Sequence, residues 1–109
     1  MSLSSLAPQS KIAEPEPVVW NYCAHLNGVQ FTWQEDQSWH CCYIRAENKS
    51  STSANYSYEY YIYEGERLAD QGKHYFSRLK KNLKNPIKVN KNFSGITRVV
   101  LKNLKVERY

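Results

Sequence analysis

With 109 residues, 41% of them hydrophobic, the chain has room for one small domain with a modest core, and it holds no run of about 18 apolar residues able to cross a bilayer. Three cysteines, an odd number, make a poor disulfide framework, and residues 1–17 lack the basic start and apolar stretch of a secretory signal, so the expected location is cytoplasmic. The formal charge of +5 is unevenly spread: eleven of the fifteen Lys and Arg residues follow Gly72, where Glu107 is the only carboxylate, while the first 72 residues are mildly acidic.

Residues 1–17 mix Ser, Pro and Glu with few apolar side chains, and the Glu-Pro alternation blocks both helix and ladder hydrogen bonding. A disordered arm is expected there, followed by a single domain over 18–109. The segment from Trp20 to Leu26, then Asn27-Gly28, then Val29 to Trp33 carries a strong hairpin signal, because Asn-Gly supplies the two positive-φ residues of a type I′ turn. That turn pairs Leu26 with Val29, Ala24 with Phe31 and Tyr22 with Trp33. The large apolar side chains then gather on one face, with Cys23, His25 and Thr32 on the other.

A turn at Glu35 to Ser38 leads to a third strand over 39–45, with His40, Cys42 and Ile44 on the apolar face and Cys41 and Tyr43 reversed. The polar stretch 46–54 reads as a loop. Residues 56–63, dense in tyrosine, read as a fourth strand with Tyr56, Tyr58 and Tyr60 on one face and Tyr61 and Tyr63 on the other. From about Glu66 the period changes. Leu68, Gly72, Tyr75, Phe76, Leu79 and Leu83 share one side of a helical wheel and Lys73, Ser77, Lys80, Lys81 and Lys84 another, which predicts an amphipathic helix ended by Asn85-Pro86. The β-branched run from Ile96 to Val100 favours a C-terminal strand. The expected fold is α+β: a four-stranded antiparallel meander, one amphipathic helix packed on one face and a C-terminal strand.

Two patterns invite chemistry. Cys23-x-His25 and His40-x-Cys42 offer four donors of the kind zinc prefers, but the register sets the two pairs on opposite faces, so no metal site and no cofactor is expected. Cys23 with His25 as a nucleophile and base needs a lowered thiol pKa that nothing in the sequence supplies.

The basic C-terminal third points more firmly to a partner. A routine exposed helix intersperses acids with bases, yet between Lys73 and Lys105 there is no acid. The leading expectation is a non-enzymatic nucleic-acid-binding module for single-stranded nucleic acid or structured RNA. Lys73, Lys80, Lys81, Lys84, Lys88, Lys91, Arg98 and Lys102 would track phosphates, and Tyr61 and Tyr63 would stack on bases. The alternative is a protein-interaction or homo-oligomeric domain whose basic surface docks on an acidic protein surface. A third reading, a small metal-independent ribonuclease, would use His74 among the lysines. The leading expectation requires the cations after Gly72 to form one outward patch.

Overall fold

The computed structural model describes residues 19–36 and 38–108, so the expected N-terminal arm lies outside the described residues. They contain seven strands and no helix: β1 (Asn21–Leu26), β2 (Val29–Asp36), β3 (Cys41–Asn48), β4 (Ala54–Glu64), β5 (Arg67–Leu79), β6 (Lys84–Val89) and β7 (Arg98–Arg108). Every pairing is antiparallel, in a first sheet ordered β1-β2-β3-β6 and a second ordered β5-β4-β7. The two sheets enclose one core. Val29, Phe31 and Trp33 of β2 and Cys42, Ile44 and Ala46 of β3 meet Ala54, Tyr56, Tyr58, Tyr60 and Ile62 of β4. Phe31 packs edge-on against Tyr56 and Tyr58, at centroid separations of 5.3 and 5.6 Å.

A core rich in tyrosine must find partners for its hydroxyls. Asn85 Nδ2 donates to Tyr56 Oη at 2.9 Å, Tyr58 Oη meets His74 Nδ1 at 2.7 Å, and Tyr60 Oη donates to Asp70 Oδ2 at 3.4 Å. All three partners stand near the rim where β5 and β6 border the core, so the polar ends reach the edge while the rings stay inside.

The expected α+β fold is overturned: the residues predicted to form a helix make β5, a 13-residue strand, the turn over 80–83 and the start of β6. Two bulges account for the misleading period. Ala69 is the extra residue between the pairs Ile62–Asp70 and Tyr63–Leu68, and Ser77 and Arg78 together face Asn55 between the pairs Tyr56–Phe76 and Ala54–Leu79, with Arg78 at φ 62°. The second bulge puts Phe76 and Leu79 on the same inner face three residues apart, which imitates a helical repeat. Between the bulges the alternation is strict, but of the four inward residues Asp70, Gly72, His74 and Phe76 only the last is a large apolar one, so no apolar period of two is visible. Asn85-Pro86 ends no helix; Pro86 sits opposite Arg45 in β6, an edge strand, where a missing N–H is tolerated.

The expected four-stranded meander is also corrected. Strands β1 to β3 form a meander, but β4 crosses to the second sheet, and β6 returns to the first to pair with β3. The Asn27-Gly28 turn has φ values of 47° and 79°. A bulge at Cys23 then breaks the expected register: Tyr22 pairs with Thr32 and points outward, and Cys23 turns inward, its Sγ donating to Val99 O of β7 at 3.2 Å. Among the described residues no helix is long and apolar enough to cross a membrane.

Candidate functional site

The cations after Gly72 do not form one patch. Lys84 and Lys88 project from the outer face of the first sheet, where Lys84 stands opposite Glu47 and Lys88 opposite Tyr43. Lys80 and Lys81 are exposed in the β5–β6 turn, and Lys91 Nζ lies 3.6 Å from Asp70 Oδ1. Arg108 is consumed structurally, donating to Asn48 Oδ1 at 2.8 Å and Thr52 O at 2.7 Å. Lys73, Arg98 and Lys102, three of the eight cations expected to bind, share the outer face of the second sheet with Tyr61 and Tyr63, and Lys105 joins them.

That face is a ladder of cross-strand rows, because every second residue of β5, β4 and β7 points the same way. In order along β4 the rows are Tyr75–Ser57–Lys105, Lys73–Glu59–Lys102, Gln71–Tyr61–Val100 and Leu68–Tyr63–Arg98. Successive rows are about 7 Å apart, so the ladder runs roughly 20 Å. A depression of ≈ 470 Å³ is cut into its first two rows, lined by Ser57, Glu59, Lys73, Tyr75, Asn103 and Lys105 together with Tyr58 and His74. A second of ≈ 370 Å³ shares Glu59 and Lys73 and continues past Tyr61 and Gln71. The pair makes a groove following β4 and β5.

The tyrosines divide by what covers them. Lys102 Nζ stands 4.9 Å above the Tyr61 ring centroid and Arg98 Cζ 3.9 Å above that of Tyr63, so each ring supports a cation instead of offering a bare face. Tyr75 is different. It is 68% exposed and lines the groove with Lys73 and Lys105. The helical pattern places Tyr75 on the apolar side, whereas the strand turns it outward; its two-residue spacing from Lys73 is the sequence signal for that.

Glu59 occupies the middle of this basic face. Hydrogen bonds from Asn103 and Tyr61, the latter at 3.1 Å, and the nearby Lys73 and Lys102 hold its carboxyl below the ordinary glutamate pKa. It is therefore an ionised acceptor at neutral pH. Asn103 reaches it from a left-handed backbone position, φ 53°, at the bulge that interrupts β7 between Lys102 and Lys105.

The other candidates separate. His74 points inward, bonded to Tyr58 Oη and tilted against the Tyr60 ring at 4.7 Å, on the opposite side of the sheet from Lys73; burial lowers its pKa. The imidazole is thus engaged with the core tyrosines, although His74 also lines the depression that holds Lys73 and Lys105. Of the zinc-like set, His25 is exposed, Cys42 is in the core, and His40 turns its Nδ1 toward Phe93 O at 3.3 Å. Cys23 was expected on the polar face and is inward, and among the described residues no three His, Cys, Asp or Glu side chains are grouped to hold a metal. Burial pushes the Cys23 thiol up to about 11 and the Cys42 thiol up to about 12, so neither is an activated nucleophile. Comparison with protein-family models, curated proteins and solved structures finds no match.

Proposed function

We propose that the protein binds single-stranded nucleic acid along the outer face of the second sheet, without catalysing a reaction on it. The observation that carries this reading is Tyr75, an exposed ring that lines one groove together with Lys73 and Lys105, on a face that also carries Lys102 and Arg98. An unpaired base has a π-face for the tyrosine, and its neighbouring phosphates meet the ammonium groups of the same groove. The row spacing supports a polymer over a lone nucleotide, since cations recur along the ladder at intervals comparable with successive phosphates of an unstacked strand. The guanidinium resting on Tyr63 is itself a flat cationic surface on which a further base can stack.

The test is an anisotropy titration of a labelled single-stranded oligonucleotide, comparing variants on the two outer faces. Tyr75→Ala and Lys105→Glu are each expected to weaken binding by about tenfold, the scale of one lost base stack or charged contact. Lys84→Glu with Lys88→Glu, on the opposite face, should leave it unchanged. Equal loss from both faces, or binding to an acidic protein but not to oligonucleotides, would overturn the reading.

A further inference from the structure

A carboxylate at the centre of a polyanion-binding face is costly, because it repels the phosphates that the surrounding lysines attract. Glu59 is nevertheless placed there with care. Tyr61 Oη and Asn103 donate to it and fix its orientation, and Lys73 and Lys102 flank it across the two neighbouring strands. A carboxylate has about four acceptor positions. These two donors leave room for a hydrogen bond from a ligand, and among the described residues Glu59 makes no ion pair within salt-bridge distance.

Phosphates offer no donor at neutral pH. Bases do, but differently for each base, whereas the ribose 2′-hydroxyl is a donor carried by every ribonucleotide and by no deoxyribonucleotide. The groove orders these groups. With a base on Tyr75 and phosphates at Lys73 and Lys105, the connecting sugar would lie over the rest of the groove lining, which includes Ser57, Glu59 and Asn103 beside Tyr58 and His74. A hydroxyl, a carboxylate and an amide are the side chains that bind sugar hydroxyls, and none of them complements a phosphate as a cation does.

Resting on the strand-binding reading above, we infer that the ligand is RNA and that Glu59 selects it by accepting a hydrogen bond from a ribose 2′-hydroxyl. The same carboxylate disfavours DNA, which meets its charge and returns no donor. Glu59 is thus a specificity residue, acting by reward of one sugar and repulsion of the other.

The experiment titrates the whole chain with labelled dodecamers of uridine, deoxyuridine and 2′-O-methyluridine, so that the base is constant and only the 2′ position changes. The ribo-oligomer is expected to bind about tenfold tighter than the deoxy-oligomer, the scale of one hydrogen bond to a charged group. The 2′-O-methyl oligomer, which keeps a ribose-like pucker but has lost the donor, should bind like the deoxy form. Glu59→Gln, which keeps the shape and an acceptor for Tyr61, should bring the ribo and deoxy affinities together mainly by tightening the deoxy complex. Equal, salt-sensitive binding of ribo- and deoxy-oligomers by the native chain would sink the RNA assignment and leave the strand-binding reading standing. A ribo preference that survives both in Glu59→Gln and in Glu59→Val, which has no acceptor, would remove Glu59 from it. Failure of all three oligomers to bind would overturn both.

Discussion

Gly72 shows at the scale of one residue how the site and the core are built back to back. Its neighbours Gln71 and Lys73 face the groove, while its own Cα lies under the Tyr60 ring. A Cβ there would stand 2.6 Å from Tyr60 Oη and 2.7 Å from Cζ, well inside contact distance. The ring cannot easily retreat, since it also packs on His74 and its hydroxyl is held by Asp70. Gly72→Ala is therefore expected to destabilise the fold by about 1–3 kcal/mol through overpacking, although alanine is ordinarily the better residue in a strand. A lowered urea midpoint at constant slope would report it. Gly72→Ala with Tyr60→Leu should cost less than the sum of the two single changes, because the clashing ring is gone; strict additivity would mean the close approach is not the cause.

At the scale of elements, the connections between sheets are held by Asn48, the last residue of β3. It is fully buried, and its side chain uses every hydrogen-bonding position it has on three segments. Nδ2 donates at 2.8 Å to Thr52 O in the β3–β4 crossover and to Leu79 O at the end of β5, while Oδ1 accepts from Ser50 N at 3.0 Å and from Arg108 at the end of β7. Asn48→Ala should cost about 3 kcal/mol, because it strands the buried Leu79 carbonyl and removes the part-buried bonds to Ser50, Thr52 and Arg108. Asn48→Asp, nearly identical in shape, should be comparably damaging, since an oxygen replaces the amide that faces two carbonyls. Urea denaturation distinguishes this from a surface loop residue, whose change would fall within about 0.5 kcal/mol.

These two residues also mark where the sequence is readable and where it is not. Asn27-Gly28 announces the first hairpin because its positive-φ requirement is local, and the split of Tyr56, Tyr58 and Tyr60 from Tyr61 and Tyr63 follows from a period of two in an unbulged central strand. The tilt of β5 toward a helical pattern comes from bulges and from polar inward residues whose partners, the hydroxyls of Tyr58 and Tyr60, are distant in the chain. Likewise nothing local in Asn48 says that it will bind Leu79 and Arg108. The outward row Lys73, Tyr75 was visible as letters but not as a surface, since its neighbours Ser57, Asn103 and Lys105 are set by strand order.

For the whole molecule the consequence is electrostatic. A sandwich has two outer faces, and it divides a basic C-terminal third between them: Lys73, Arg98, Lys102 and Lys105 on the second sheet, Lys84 and Lys88 on the first, and Lys91 at the rim with Asp70. A rigid ligand on one face cannot gather both groups. If a single strand neutralises the four cations of the second sheet, the logarithm of its affinity should fall against the logarithm of salt concentration with a slope of about −3, at roughly 0.7 per phosphate. A patch using ten cations would instead give about −7. Lys73→Gln with Lys105→Gln removes two of the four and should reduce the slope to about −1.4, while Lys84→Gln with Lys88→Gln, an equal loss of net charge, should leave it near −3. Measuring both pairs at several salt concentrations separates contact by this face from attraction to overall charge, because attraction to overall charge would change both slopes alike.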